Sequence, residues 1–501
     1  NGFEKLGRVS LDNPVGDYTF GGAIHVVSGA ELYAAAAWSN TANVDMSLES
    51  GARFDVENAV ILRHLTGAGY VVGDSTLTLG DDHDFTFSGV MGNVLDSSLR
   101  NTVSLRKIGA GTMTLAQTAV STGASTINAG TLQLGAENAL PSGLLTLGNV
   151  TASTSGTLIL DGHNQEVAGL ATAGPGGTIV NGSPTAATLT VNSTAATTFT
   201  GTLGSATAGN DNNFGLRKIG AEMLSLSGAN YYTGQTTIEA GTLRVDAIVN
   251  SGPWALGNDS AIVFAGSGAT AGLLDYAGIE AATLSRAIDL AGSGGLSSSS
   301  LDPLHTLTYS GTVSSSAGGD VTFTLGGSNT GDNLLSSALP DPAGFQLALN
   351  KVGAGKWILG AGVIDDGTNV TVSEGTLDIG SNNLNLGTLT LNGGTLAGTG
   401  TLTSTSDWVV QSGNISAVLA DGPAAEVRNL WKTTSGTASL LAINTYSGQT
   451  FIEEGTLNAG VLTNSGNYSF GSNTTANILL GNVTSGTAGL MGYVGTTDVD
   501  F

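Results

Sequence analysis

The sequence predicts an all-β fold in which short strands wind into a parallel β-solenoid, an elongated rod that takes residues 1–501 as one continuous body. Three observations predict it. A unit beginning Leu-x-Lys and ending Gly-Thr-Leu recurs along the chain. Within each copy apolar residues alternate with polar ones, the two-residue period of half-buried strands. The composition, with 76 Gly and only 9 Pro among many Thr, Ser, Asn, Leu and Val, suits short strands joined by tight bends.

The first copy reads Leu105-Arg-Lys-Ile-Gly-Ala-Gly-Thr-Met-Thr-Leu115, then Ser125-Thr-Ile-Asn-Ala-Gly-Thr-Leu-Gln-Leu134. The second runs from Leu216-Arg-Lys-Ile-Gly220 to Tyr232-Thr-Gly-Gln-Thr-Thr-Ile-Glu-Ala-Gly-Thr-Leu243. The third pairs Lys351-Val-Gly-Ala-Gly-Lys-Trp-Ile-Leu359 with Val370-Thr-Val-Ser-Glu-Gly-Thr-Leu377, and a worn fourth pairs Trp431-Lys432 with Tyr446-Ser-Gly-Gln-Thr-Phe-Ile-Glu-Glu-Gly-Thr-Leu457. Lys107, Lys218, Lys351 and Lys432 are 111, 133 and 81 residues apart. Such uneven spacing means that turns are inserted between motifs, which a solenoid tolerates. The units are expected at roughly 3–104, 105–215, 216–349 and 350–501.

Glycine carries the corners. Gly109, Gly220 and Gly353 follow the motif lysines, and Gly130, Gly241, Gly375 and Gly455 precede Thr-Leu, where a bend calls for positive φ or close backbone approach. A shorter element, Phe85-Thr-Phe-Ser-Gly-Val90, returns at Thr198-Phe-Thr-Gly-Thr-Leu203 and Thr308-Tyr-Ser-Gly-Thr-Val313. At roughly 20 to 25 residues per turn and about 4.8 Å per turn, the chain makes on the order of 20 turns and a rod of about 100 Å.

Composition removes several function classes. Hydrophobic residues at 40% argue against disorder. A net charge of −24 with 15 Lys plus Arg disfavours nucleic acid and anionic membranes as partners. No cysteine means no disulfide, thiolate metal site or cysteine nucleophile. No signal peptide opens the sequence, and no apolar run reaches the roughly 18 to 20 residues of a membrane helix.

Leu-x-Lys-Ile/Val-Gly-Ala-Gly, Tyr-x-Gly-x-Thr and Thr-Ile-x-x-Gly-Thr-Leu together resemble the autotransporter-associated β-strand repeat, also called the passenger-associated transport repeat. Glu222 replaces the last glycine of the second copy, and the fourth lacks the Ile-Gly-Ala-Gly core. The resemblance implies a right-handed parallel β-helix, extracellular on a bacterial surface, with a structural or adhesive rather than enzymatic role. Its implied partners are further copies of itself or cell-surface glycans. Phe3-Glu-Lys-Leu-Gly7 looks like a worn motif start and Thr497-Asp-Val-Asp-Phe501 like the element before one. Phe3, Leu6, Val499 and Phe501 are therefore candidate end-to-end contacts, either within a longer array or between fibre subunits.

Some candidate chemistry remains. Asp81, Asp82 and Asp84 around His83 read as a solvated acidic turn or, alternatively, as oxygen ligands for calcium; no other cofactor is indicated. A glycosidase or lyase on this scaffold needs two facing carboxylates, for which Asp365-Asp366 is the other acidic run. Histidines 25, 64, 83, 163 and 305 show no metal-ligand spacing. Gly67-Ala-Gly-Tyr-Val-Val-Gly73 and Gly353-Ala-Gly-Lys356 lack the spacing of nucleotide loops. The motif lysines are expected to face water and deter lateral strand pairing. Tyr232, Tyr446, Trp357 and Trp431 read as core, with sugar stacking the alternative. Ser297 to Ser300 are candidate glycosylation positions.

Overall fold

The computed structural model describes residues 8–11, 22–38, 41–92, 100–207, 209–250, 252–258, 261–267, 271–463, 467–472, 477–482 and 484–496. Among them there is no α-helix, only β-strands and the short 3-10 turns Asn210–Asn212 and Pro423–Ala425. Each strand lies beside the equivalent strand one coil further on, giving a parallel β-solenoid of about 19 turns. The chain divides into two compact units, residues 1–243 with 251–260, and residues 244–250 with 261–501.

In the first unit one sheet runs through Val60–Leu62, Thr76–Leu79, Ser104–Lys107, Ser125–Ile127, Leu144–Leu147 and Gly169–Thr172. A second takes Phe85–Phe87, Thr112–Leu115, Gly130–Leu134, Gly156–Ile159, Gly177–Val180 and Thr202–Leu203. Strict register puts like on like. Phe85 sits on Met113, then Leu132, Leu158, Ile179 and Leu203, one unbroken buried column. Intervening residues such as Thr114 and Gln133 pair on the outer face. Antiparallel pairing joins Pro253–Trp254 to Gly257–Asn258 in a small hairpin.

The second unit repeats the scheme. Leu325, Lys351, Val372, Leu391, Val410, Lys432 and Ile452 form one inward column. Trp357, Leu377, Leu396, Ile415, Leu440 and Ala459 form the facing one. Two turns without a lysine, Leu384–Ala397 and Trp408–Ile415, pass round the corner as single unbroken strands. In the lysine turns the strand stops, as between Leu347–Lys351 and Lys356–Leu359.

This alternation carries the stability of the coil. Met113→Ala should lower the unfolding free energy by about 2–5 kcal/mol, the usual loss for a buried large side chain, while Thr114→Ala, one residue on and facing out, should change it by less than about 0.5 kcal/mol. Equal costs in denaturant titrations would contradict the inward column.

Candidate functional site

The recurring feature is the corner that follows each motif lysine, and there the expectation of a water-facing lysine is overturned. Lys107, Lys218, Lys351 and Lys432 are all fully buried. Parity explains it: Lys107 shares a strand face with buried Leu105, while Arg106 between them is exposed. Each lysine lies between two aliphatic residues of adjoining turns, Leu79 and Ile127 for Lys107, Val191 and Ile238 for Lys218. A buried ammonium survives only if its protons are accepted, and the chain bends to accept them.

Lys107 Nζ donates to the carbonyl oxygens of Ile108 (2.7 Å) and Gly109 (3.0 Å) in its own corner and approaches Ala129 of the next turn (3.5 Å). Lys218 donates to Ile219, Gly220 and Ala240 at 2.8, 2.8 and 3.0 Å. Lys351 donates to Val352, Gly353 and Glu374 at 2.8, 2.6 and 3.1 Å. Lys432 keeps the pattern with Thr434 and, at 3.0 Å, Glu454. Burial pushes Lys107, Lys218 and Lys351 down to about 8 and lowers Lys432; around Lys107 the carboxylates of Asp81, Asp84 and Asp82 pull the other way.

The glycine of Gly-Thr-Leu then stacks on that corner. Gly375 has φ +63°, and a Cβ there would lie 2.3 Å from the carbonyl oxygen of Gly355 and 2.4 Å from that of Gly353. Gly130, Gly241 and Gly455 are equally left-handed and equally crowded by the turn beneath, and Gly109, Gly220 and Gly353 also have positive φ. Glu222 replaces a glycine without a left-handed φ, so the substitution costs no backbone strain.

Two further residues complete the motif. Tyr232 and Tyr446 are buried, and each hydroxyl pairs with a threonine four residues on, Thr236 and Thr450, at 2.7 Å. Two residues before each tyrosine a buried asparagine joins successive turns: Asn230 accepts from Leu203 N–H and donates to Ala255, and Asn444 accepts from Leu419 N–H. The sequence reading missed these asparagines; the shared Asn-x-Tyr spelling is the signal for them.

Of the four aromatics read as core, Trp431 is different. It is part-exposed on the outer face, stacked flat on Phe451 at 3.9 Å and 7°, with its Nε1 donating to Asp407 (3.0 Å). One face of each ring is thus taken by the other. Trp357 is buried, its Nε1 donating to Gly326 (2.8 Å). Ser297, Ser298 and Ser300 are buried, and Ser297 and Ser299 donate to the Asp275 carboxylate at 2.6 and 2.7 Å. Only Ser299 of this run is part-exposed, and its hydroxyl is taken by Asp275.

The acidic turn 81–84 is tied to the next coil. Asp82 accepts from Ala110 N–H (3.2 Å) and Asp84 from Thr112 N–H (2.6 Å). Asp81 turns instead toward two histidines, with His64 Nε2 at 2.9 Å and His83 Nδ1 at 3.1 Å, and accepts from His83 N–H at 2.7 Å. Burial raises its carboxyl, but these hydrogen bonds outweigh it and hold Asp81 down at about 2. The structure therefore brings together histidines that look scattered in sequence. Asp365 and Asp366 are exposed side by side where a turn begins. A shallow depression of about 320 Å³ beside Phe214 has Thr188, Arg217 and Gln235 in its lining and no carboxylate. Phe3, Leu6, Val499 and Phe501 lie outside the described residues.

The lysine corners make two measurable statements. Lys351→Met should cost about 1–3 kcal/mol, as expected for buried acceptors deprived of a donor, whereas Lys356→Met, which removes a part-exposed pair with Asp332 and Asp378, should cost at most about 1 kcal/mol. The pH dependence has a definite sign. With Lys351 held near 8 in the fold against its ordinary 10.5, the unfolded chain binds more protons between those values, so the lysine's contribution to stability rises with pH. The deficit of Lys351→Met should widen from pH 8 to 10.5; a deficit that stays level or shrinks over that range would mean that burial does not depress this lysine.

One comparison with known proteins falls on three of these corners. The passenger-associated transport repeat matches residues 105–134, 216–245 and 432–459. The Lys351 corner lies outside those matches and has the same geometry. A stretch of 300 residues, 56% of this chain, is 30% identical to an adhesin autotransporter, BmaC, of Brucella suis biovar 1 (strain 1330), and spans 8% of that protein. No solved structure matches the chain. The chain is a β-solenoid that carries three passenger-associated transport repeats and is similar over part of its length to an autotransporter adhesin.

Proposed function

We propose that this chain is a non-enzymatic, extracellular segment of a bacterial surface passenger, serving as structural stalk and adhesive face. The observation that carries the reading is the repeated lysine corner, which at Lys107, Lys218 and Lys432 falls within the transport-repeat matches and uses its polar chemistry to hold one turn to the next. The resemblance to an adhesin supports the adhesive half of it. The bounded part of the proposal is the partner: surface glycans of another cell, or further copies of the chain joined turn to turn.

Beads coated with the chain should adhere saturably to cell monolayers and be displaced by free chain; glycosidase treatment of the monolayer should abolish adhesion if glycans are the partner. Adhesion no greater than with beads carrying an unrelated acidic protein would leave the stalk role alone. For end-to-end joining, electron microscopy at rising concentration should show filaments that disappear when residues 1–8 and 490–501 are deleted. Single particles at every concentration would sink that part of the proposal.

A further inference from the structure

The turn at 81–84 places two imidazoles and a carboxylate around one point. His64, Asp81 and His83 each present a ligand atom, and those atoms lie within 4.8 Å of one another. His64 opens the strand His64–Gly67, while Asp81 and His83 sit in the turn after Thr76–Leu79, so consecutive coils supply the donors. Borderline-soft nitrogen with one oxygen is the donor set that suits zinc and its late first-row neighbours, whereas calcium takes oxygen alone.

The surroundings hold these donors in place. Asp45, in register with His64 on the preceding coil, has Oδ1 3.2 Å from His64 Nδ1, which leaves Nε2 for the cluster. Arg63 in turn pairs with both oxygens of Asp45. A carboxylate behind a ligating imidazole fixes its tautomer and ring orientation in metal sites. The His64 ring rests 4.7 Å from that of buried Phe85. The turn itself is pinned by Asp82 and Asp84 to the amides of Ala110 and Thr112. The other histidines lack this: His25, His163 and His305 each meet a single carboxylate, Glu49, Glu137 and Asp302.

We infer that His64 Nε2, Asp81 and His83 Nδ1 form a surface site for a divalent zinc-class cation, with water completing the coordination on the open side of His83. The site is independent of the adhesive role.

The test titrates tag-free chain with Zn²⁺ against a chromophoric chelator, counting bound metal by equilibrium dialysis and elemental analysis. One equivalent is expected. His83→Ala, whose side chain is 78% exposed and removable without disturbing the coil, should weaken it at least tenfold. His64→Ala should do the same, and Asp45→Asn should weaken it about tenfold, the usual effect of an outer partner. His25→Ala should leave it unchanged. Co²⁺ should show the visible absorption of nitrogen-ligated metal in the wild type and lose it in His83→Ala. No bound equivalent, equal affinity in His83→Ala and wild type, or displacement of Zn²⁺ by equimolar Ca²⁺ would each overturn the assignment.

Discussion

A parallel coil must turn corners, and at each sharp corner backbone carbonyls leave the ladder that pairs one turn with the next. An unpaired buried carbonyl is expensive. The motif lysine answers that requirement from inside: one ammonium accepts the duty of two carbonyls in its own corner and one in the turn above. Where the column residue is Leu391 or Val410 instead, the strand continues round the bend and needs no such donor. In the turns that carry it, the lysine satisfies the carbonyls of a tight, broken corner. The glycine that follows one turn later permits the next corner to close down on it.

Register follows from the same contact. Lys351 reaches Glu374 O just before Gly375, and the amide of Thr376 then donates to Gly355 O, so the Gly-Thr-Leu segment has one place to sit. Slipping by one residue would turn the lysine outward and set polar residues in the column. A solenoid stabilised mainly by nearest-neighbour contacts is most exposed to slippage in its short strands, and the tether acts there. Spacing between tethers is free to vary, as the 111, 133 and 81 residue intervals do.

Much of this was legible in the sequence. Alternation gave the inward columns, since Met113, Leu115, Leu132 and Leu134 are all buried, and Gly-Thr-Leu marked corners whose glycines do have positive φ. The same alternation put Lys107 on the face of Leu105; assigning it to solvent let its charge override its parity, and the fold sided with parity. Trp431 fails for the converse reason, an aromatic side chain at an outward position, stacked along the coil on Phe451. Ser297 to Ser300 looked like surface because hydroxyls usually are, yet Ser297, Ser298 and Ser300 are buried, and Ser297 and Ser299 serve the buried Asp275. His64 and His83 escaped because ligand spacing in a coil is counted in turns, and turn length is invisible until register is known.

Such a scaffold acquires function under a constraint. Its interior is committed to packing and to the corners, so chemistry must be assembled on the outside from residues one turn apart, as Asp45, His64 and Asp81 are. The charge balance favours some of that chemistry over the rest. Among the described residues Lys107, Lys218, Arg286, Lys351 and Lys432 are buried, so the outer surface offers carboxylates and imidazoles but few cationic donors. Such a surface attracts cations and repels its own kind side by side. Side-by-side contact between two such surfaces is then disfavoured on electrostatic grounds.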